Sequence, residues 1–407
     1  MRLAILAAAL PLFAQDDIAA RPAARKALSR IQARHEADLA KQVEIAEIPA
    51  PTFHEGERAR FLEREFRRLG LKNVEIDAKG NVLGWRPGST DKALVVAAHL
   101  DISFAPGVVT KVRKEGARWH GPGLADDSRG LAALLSIADA LDHAGISTKR
   151  SLLFVANTGE EGLGDLMGVK YLFRESPHRS KLEAFISIDG ADPARVTNAG
   201  TGVKRYRVTF RGPGGHSWGN FGRPSPSHAM GRAIAKLADI DVPAKPKTTY
   251  NVGRVGGGTA VNAIAEESWM EVDLRSESPS ELDRIEVKLL EAARTAAEEE
   301  NRKREASGAK VAMEAKLVGN RPAGETPATS PLVKSAIWAA KATGHTPELR
   351  VGSTDSNLPI SLGIPAVTLG GGGRADNAHS LDEWFEPADA WKGPQTVLLT
   401  ILAFDEN

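Results

Sequence analysis

Short, mostly apolar runs that stop at carboxylates, imidazoles and glycines constrain this chain more than any other feature. Residues 93–98 end in His99-Leu100-Asp101, and residues 152–156 end in Asn157-Thr158-Gly159-Glu160-Glu161-Gly162. Residues 185–188 run into Asp189, and residues 366–369 into a cluster of glycines at 370–373. Runs of roughly four to eight apolar residues bounded by turn signals are what strands buried on both faces look like. Between the first two lies a helical pattern, 130–143, with Leu131, Leu134, Leu135, Ala138 and Leu141 on one face. Apolar strands alternating with amphipathic helices predict an α/β layer on a largely parallel sheet.

The flanks of this pattern divide the chain. Residues 22–71 read as helical and amphipathic, with Leu62, Phe66 and Leu69 at helical spacing, broken at Pro49-Ala50-Pro51 and closed by Gly70. From about residue 200 the rhythm changes. Residues 205–211 alternate like a half-exposed strand, 229–237 form a short amphipathic helix, and 269–275 alternate again. A long charged helix over 280–304 and a strand over 310–318 complete the set, an order that fits a small α+β unit of ferredoxin-like type. The expected division is therefore a catalytic domain in two parts, 16–199 and 317–407, interrupted by an inserted unit at 200–316. Residues 1–15 differ from the rest: Met1-Arg2, an apolar stretch over 3–13 and a small Ala14 resemble a secretory signal peptide. Its apolar core is too short for a bilayer anchor, and Leu12 is larger than the usual residue before a cleavage site. The competing reading is a buried N-terminal helix. A leader implies a periplasmic or secreted protein.

Bulk properties remove several function classes. A net charge of +1 gives no footing for nucleic-acid or acidic-polymer binding. No other stretch reaches transmembrane length, and with no cysteine the chain has no disulfide, thiolate metal site or cysteine nucleophile. The glycine clusters at 256–258 and 370–373 lack the Lys-Ser/Thr of a phosphate loop.

What remains is acidic and imidazole chemistry at the strand ends. His99 and Asp101 alternate to the same side of their strand, which suits Asp101 to accept the second N–H of a ligating His99. Asp126 and Asp127 sit in the glycine-rich turn 121–130 ahead of a helix. A capping role explains one aspartate there more readily than two. Glu160-Glu161, Asp189 and His379 follow. All lie at or beyond the C-terminal ends of strands, where open parallel sheets bind ligands. His99, Asp126, Glu161, Asp189 and His379 form an oxygen and nitrogen donor set suited to two zinc ions with one bridging carboxylate.

These segments, in this order, resemble the signature of a di-zinc metallopeptidase family that includes peptidase T, carboxypeptidase G, acetylornithine deacetylase and the aminoacylases. The resemblance implies that His99 and Asp189 hold one zinc, Glu161 and His379 the other, and that Asp126 bridges. It makes Asp101 the orienting partner of His99 and Glu160 the catalytic acid/base, and it implies a cis peptide bond at Asp127. Gly215-His216-Ser217 is similar to the family's substrate-facing histidine motif. Asn262 and Arg275 fall where relatives contact substrate, and Ser353 and Thr354 lie in a loop similar to one lining the pocket. The inserted unit would be a lid that often also serves as a dimerisation surface, so a homodimer through it is part of the expectation.

The function implied is hydrolysis of short peptides, and aspartate at position 189 leans toward a peptidase T-like aminopeptidase. Cobalt or manganese are alternative metals. An N-acyl-amino-acid amidohydrolase is the alternative within enzymes. From another class, the alternative is a peptide-binding member without activity, which the presence of all five ligand types and Glu160 disfavours.

Overall fold

The computed structural model describes residues 18–304 and 307–407. The segment read as a signal peptide lies outside the described residues. No described helix is long and apolar enough to cross a membrane.

A nine-stranded mixed sheet organises the larger part of the molecule. At its centre Ala93–His99 lies between Ser151–Asn157 and Leu182–Ile188, both parallel to it, and Ala366–Leu369 adds parallel to Leu182–Ile188. Antiparallel Val82–Arg86 and Lys72–Ile76 extend one side, and Arg195–Gly200 with its partners extends the other. Burial of both faces explains the mostly apolar composition of the central strands. Leu94, Val96 and Ala98 pack under helices Gly56–Arg68, Ser128–His143 and Lys392–Asp405. Val95 and Ala97 pack on the other face, against helix Met167–Arg174. A strand buried on both faces has few polar positions to spend, so charged groups appear where it ends.

The lid has its own core and the βαββαβ order of a ferredoxin-like unit. Its antiparallel sheet runs Thr248–Gly257, Glu267–Ser276, Gly202–Arg211, Ala312–Arg321. Helices Pro226–Ala238 and Pro279–Lys303 cover one face, where Tyr206, Val208, Phe210, Met270 and Val272 meet Ala233, Ile285 and Leu289. The opposite face carries Arg205, Arg207, Asp273 and Arg275, as the period-2 alternation requires. Two details differ from the sequence reading. Thr248–Gly257 forms an edge strand that the sequence did not signal, because it is mostly exposed and glycine-rich. The final strand continues to Arg321 rather than ending at 318. An irregularity between Leu317 and Gly319 shifts register and lets Arg321 pair opposite Val203.

Candidate metal centre and active site

The parallel strands deliver their chemistry to one edge. His99 is the last residue of its strand, Asp189 follows Ile188, and Glu160-Glu161 follow the strand ending at Asn157. Asp189 N–H donates to Leu369 O at 2.9 Å, which ties it to the next strand's end.

The five sequence-selected ligands converge. Donor atoms of His99, Asp126 and Asp189 lie within 4.8 Å of one another, and so do those of Asp126, Glu161 and His379. Asp126 is common to both triads and faces each way. Its Oδ1 is 3.0 Å from His99 Nε2, and its Oδ2 is 3.0 Å from His379 Nε2. His379 Nε2 also lies 2.7 Å from Glu161 Oε1. His99, Glu160 and Glu161 make a third such group. Burial works to raise the Asp126 carboxyl, but hydrogen bonds from His379 and His99 outweigh it and hold it far below the usual range. Those bonds, to Asp126 first and Glu161 second, push His379 up to about 10. Asp189 is shifted up by burial and by the Asp126 charge. Carboxylates and imidazoles this concentrated, with one carboxylate spanning two triads, fit a pair of divalent cations.

The surrounding groups hold this set in place. Asp101, fully buried, accepts the backbone N–H of Glu160 and of Glu161, both at 2.9 Å, and the Thr52 hydroxyl at 2.9 Å. The His99 Nδ1 is 3.0 Å from Asp101 O and 3.5 Å from its Oδ1, so one residue orients three members of the site. The buried Arg58 guanidinium donates to Leu100 O and Ile48 O, fixing the turn after His99. Asp127 accepts from His99 N–H at 3.1 Å and caps its helix through Gly130 N–H at 3.0 Å. The Asp126-Asp127 peptide bond is cis. Residue 130 has to be glycine, because a Cβ there would sit 2.4 Å from Ile188 O.

Sequence reasoning missed Glu383, four residues beyond His379. Its buried carboxylate accepts from Gly123 N–H at 2.8 Å, Ala125 N–H at 2.8 Å and Asp126 N–H at 3.2 Å. The run His379-Ser380-Leu381-Asp382-Glu383 gave no spacing that would have linked it to residues 257 to 260 positions upstream.

Glu160 occupies a different position from Glu161. Its Oε1 accepts from Arg321 Nη1 at 2.8 Å, and its main-chain carbonyl accepts from the same guanidinium. Burial drives the Glu160 carboxyl well above the ordinary range, opposed by Arg321 and aided by Glu161. A buried carboxyl whose proton affinity is raised by its surroundings is a candidate for proton transfer to and from a reacting group. Arg321 Nη1 also donates to Ser353 Oγ at 3.1 Å, and Thr354 Oγ1 lies 2.7 Å from Thr368 Oγ1. Asp355, next in that loop, is pushed up to about 7 by burial and accepts from Asn157 Nδ2 at 2.7 Å.

A cavity of about 550 Å³ joins this edge to the lid. Its wall includes His99, Asp126, Glu160, Glu161, Asp189, His379, Ser353, Thr354 and Arg275. His216 and Asn262 do not line it. They sit side by side at the lid tip, where Gly215-His216 pairs with Ala263-Ile264 and Ser217 N–H donates to Asn262 O at 2.9 Å. Four further arginines in the wall, Arg195, Arg205, Arg321 and Arg350, were not singled out from the sequence. Arg195 and Arg350 come from strands too polar to be recognised there, Arg321 lies beyond the expected end of its strand, and Arg205 lies on a recognised strand where nothing marked it.

The family model described as Peptidase family M20/M25/M40 matches residues 95–403. The Bacillus subtilis (strain 168) protein YqjE, itself uncharacterized, is 28% identical over 384 residues, covering 89% of this chain and 97% of its own. The crystal structure of aminopeptidase PepT from Bacillus cereus ATCC 10987 superposes with a TM-score of 0.72 at 22% identity. That match covers 92% of this chain and 99% of PepT. The Bacillus subtilis YXEP protein, described as a dinuclear metal-binding peptidase, gives a TM-score of 0.64 at 16% identity, covering 92% and 98%.

Proposed function

The chain belongs to peptidase family M20/M25/M40, and on that footing we propose that it is a di-zinc hydrolase cleaving the amide bond of short peptides, an aminopeptidase in the manner of peptidase T. The observation that carries this reading is Asp126, whose two oxygens face His99 and His379 at 3.0 Å each. His99 and Asp189 would hold one ion, Glu161 and His379 the other, with Asp126 shared. Two divalent ions bound there supply Lewis acidity for the scissile carbonyl and a water acidified toward neutrality. The chain's own groups do the rest. Asp101 keeps His99 in its ligating orientation. Glu160 takes the proton of the attacking water and hands it to the departing amine. Ser353, Thr354 and Arg275 orient substrate from the cavity wall. His216 and Asn262 would join them from the lid tip, His216 facing the developing oxyanion.

Aspartate at 189 and the likeness to PepT support the aminopeptidase form. The arginine wall favours a second reading, an N-acyl-amino-acid amidohydrolase, because it offers anchorage for a free carboxylate and asks nothing of the amine. A release assay on zinc-loaded protein separates the two. Tripeptides, N-blocked peptides, C-amidated peptides and N-acetyl amino acids are compared side by side. Cleavage of free tripeptides with N-blocked ones spared supports the aminopeptidase. Release from N-acetyl amino acids alone replaces it with the amidohydrolase, and no release from any of them ends both.

A further inference from the structure

We propose that Arg321 is the positioning residue of the general base: its guanidinium, brought in by the last strand of the lid, fixes the orientation in which Glu160 exchanges protons with substrate. This rests on the hydrolase reading and adds a residue to it. No regular element holds Glu160. It follows strand Ser151–Asn157 in an irregular stretch between Gly159, at φ +62°, and Gly162, at φ +50°. Asp165 and Leu166, a few residues on, also sit at positive φ, an uncommon conformation for residues other than glycine. A segment with no ladder or helix of its own takes its shape from the groups that grip it.

The grip on Glu160 comes from two sides. On the catalytic side, Asp101 Oδ1 accepts its backbone N–H at 2.9 Å. From the lid, Arg321 Nη1 donates to Glu160 Oε1 at 2.8 Å, while Nη2 donates to the main-chain carbonyl of the same residue. A rigid planar fork that holds a residue's carboxylate and its own carbonyl ties the side-chain torsions to the backbone. Among the described residues Glu160 Oε2 accepts no hydrogen bond, so one oxygen is held and the other is left for a proton.

Arg321 is itself anchored. It is buried, ends strand Ala312–Arg321 opposite Val203, and donates a further hydrogen bond to Ser353 Oγ at 3.1 Å. Asn320 beside it donates its N–H to Asp165 Oδ2 at 2.8 Å, which ties the strand end to the turn after Glu161. Burial disfavours the guanidinium charge, but Glu160, Glu161, Asp355 and Asp165 more than restore it. A lysine here would supply the charge without the fork, because an ammonium is a single point. One substitution therefore separates geometry from charge.

The test measures zinc-loaded Arg321→Lys on Ala-Ala-Ala and N-acetyl-alanine, in the otherwise unmodified chain and in Glu160→Gln. For the substrate that is cleaved, kcat is expected to fall about 10- to 100-fold, the scale of a misplaced catalytic group, with KM and zinc content unchanged. In Glu160→Gln, where no base remains to be aimed, the same substitution should cost less than about 3-fold more, as for groups that act as a unit. Added guanidinium ions should return part of the kcat lost in Arg321→Ala and none of that lost in Glu160→Gln. Equal losses from Arg321→Lys in both backgrounds overturn the positioning role, since an effect on packing or charge does not depend on the base. Undiminished kcat in Arg321→Lys overturns it too. Loss of zinc with a lowered unfolding temperature in both Arg321 variants also overturns it and makes the arginine a residue of the fold. An unmodified chain that cleaves neither compound overturns the hydrolase reading, and the positioning role with it.

Discussion

Two adjacent glutamates meet different partners because neighbouring residues beyond a strand end point different ways. Glu161 turns to His379, at 2.7 Å, while Glu160 turns to Arg321, at 2.8 Å. The sequence could offer the pair and its setting after a buried strand, but not which partner each would meet. Arg321 lies 161 residues from Glu160, on a lid strand whose end was placed too early. Glu160→Gln keeps the size and removes the proton acceptor. It is expected to cost about 10²–10⁴ in turnover with metal content unchanged, measured by steady-state kinetics beside elemental analysis. Glu161→Gln should lower zinc content as well. Unaltered turnover in Glu160→Gln would move the base to another residue, and equal metal loss in both variants would erase the distinction between them.

Elements were legible in proportion to how completely they are buried. The central strands and helix Ser128–His143 announced themselves because burial on all sides forces an apolar run. Edge strands such as Thr248–Gly257 and Glu348–Gly352 escaped, since exposure on one face and one side permits almost any composition. The same asymmetry bears on the site. The candidate ligands lie beside recognisable strands, whereas Arg195 and Arg350 come from strands the sequence left unrecognised, Arg321 from beyond an expected strand end, and Arg205 from a recognised strand on which nothing marked it. Glu383 belongs to a further class, a residue that acts on a backbone and so leaves no pattern among side chains. It holds three N–H groups of the turn that presents Asp126, and Gly123 within that turn has φ +71°. Glu383→Ala leaves those donors unpaired and frees the turn to relax. Zinc affinity, read by competition with a chelating dye, is expected to fall about 10- to 100-fold, the scale of losing an outer partner of a metal ligand. Glu383→Gln, which keeps one oxygen, should fall less; unchanged affinity in both would mean the turn holds its own shape.

At the scale of the whole molecule, two separate cores are joined through the cavity, and both the metals and the lid should register in bulk behaviour. Buried Glu161 and the partly buried Asp126 and Asp189 repel one another without cations between them, so metal should stabilise the fold. At free zinc about 100-fold above Kd the stabilisation is about 2.7 kcal/mol, and chelation should lower the unfolding temperature reversibly in scanning calorimetry. An unfolding temperature indifferent to chelator and zinc would argue against a metal centre. His216 is exposed at the lid tip and does not line the cavity, while Arg205 and Arg275 of the same lid do. Its Nδ1 already accepts from Trp218 N–H at 3.2 Å and Gly219 N–H at 3.3 Å, which leaves Nε2 as the ring nitrogen for a ligand. To act on an oxyanion it must arrive either by closure of its own lid or from a second copy. His216→Ala is expected to cost about 10²–10³ in turnover, the scale of one lost oxyanion donor, with zinc content intact. Mixing His216→Ala with Glu160→Gln chains separates the two routes. If a second copy supplies the imidazole, a mixed dimer holds one site with both groups intact, and activity returns. If each lid serves its own site, every site in the mixture lacks one group, and confirmed mixed dimers stay inactive. Full turnover in His216→Ala alone would make the residue part of the lid hairpin and nothing more.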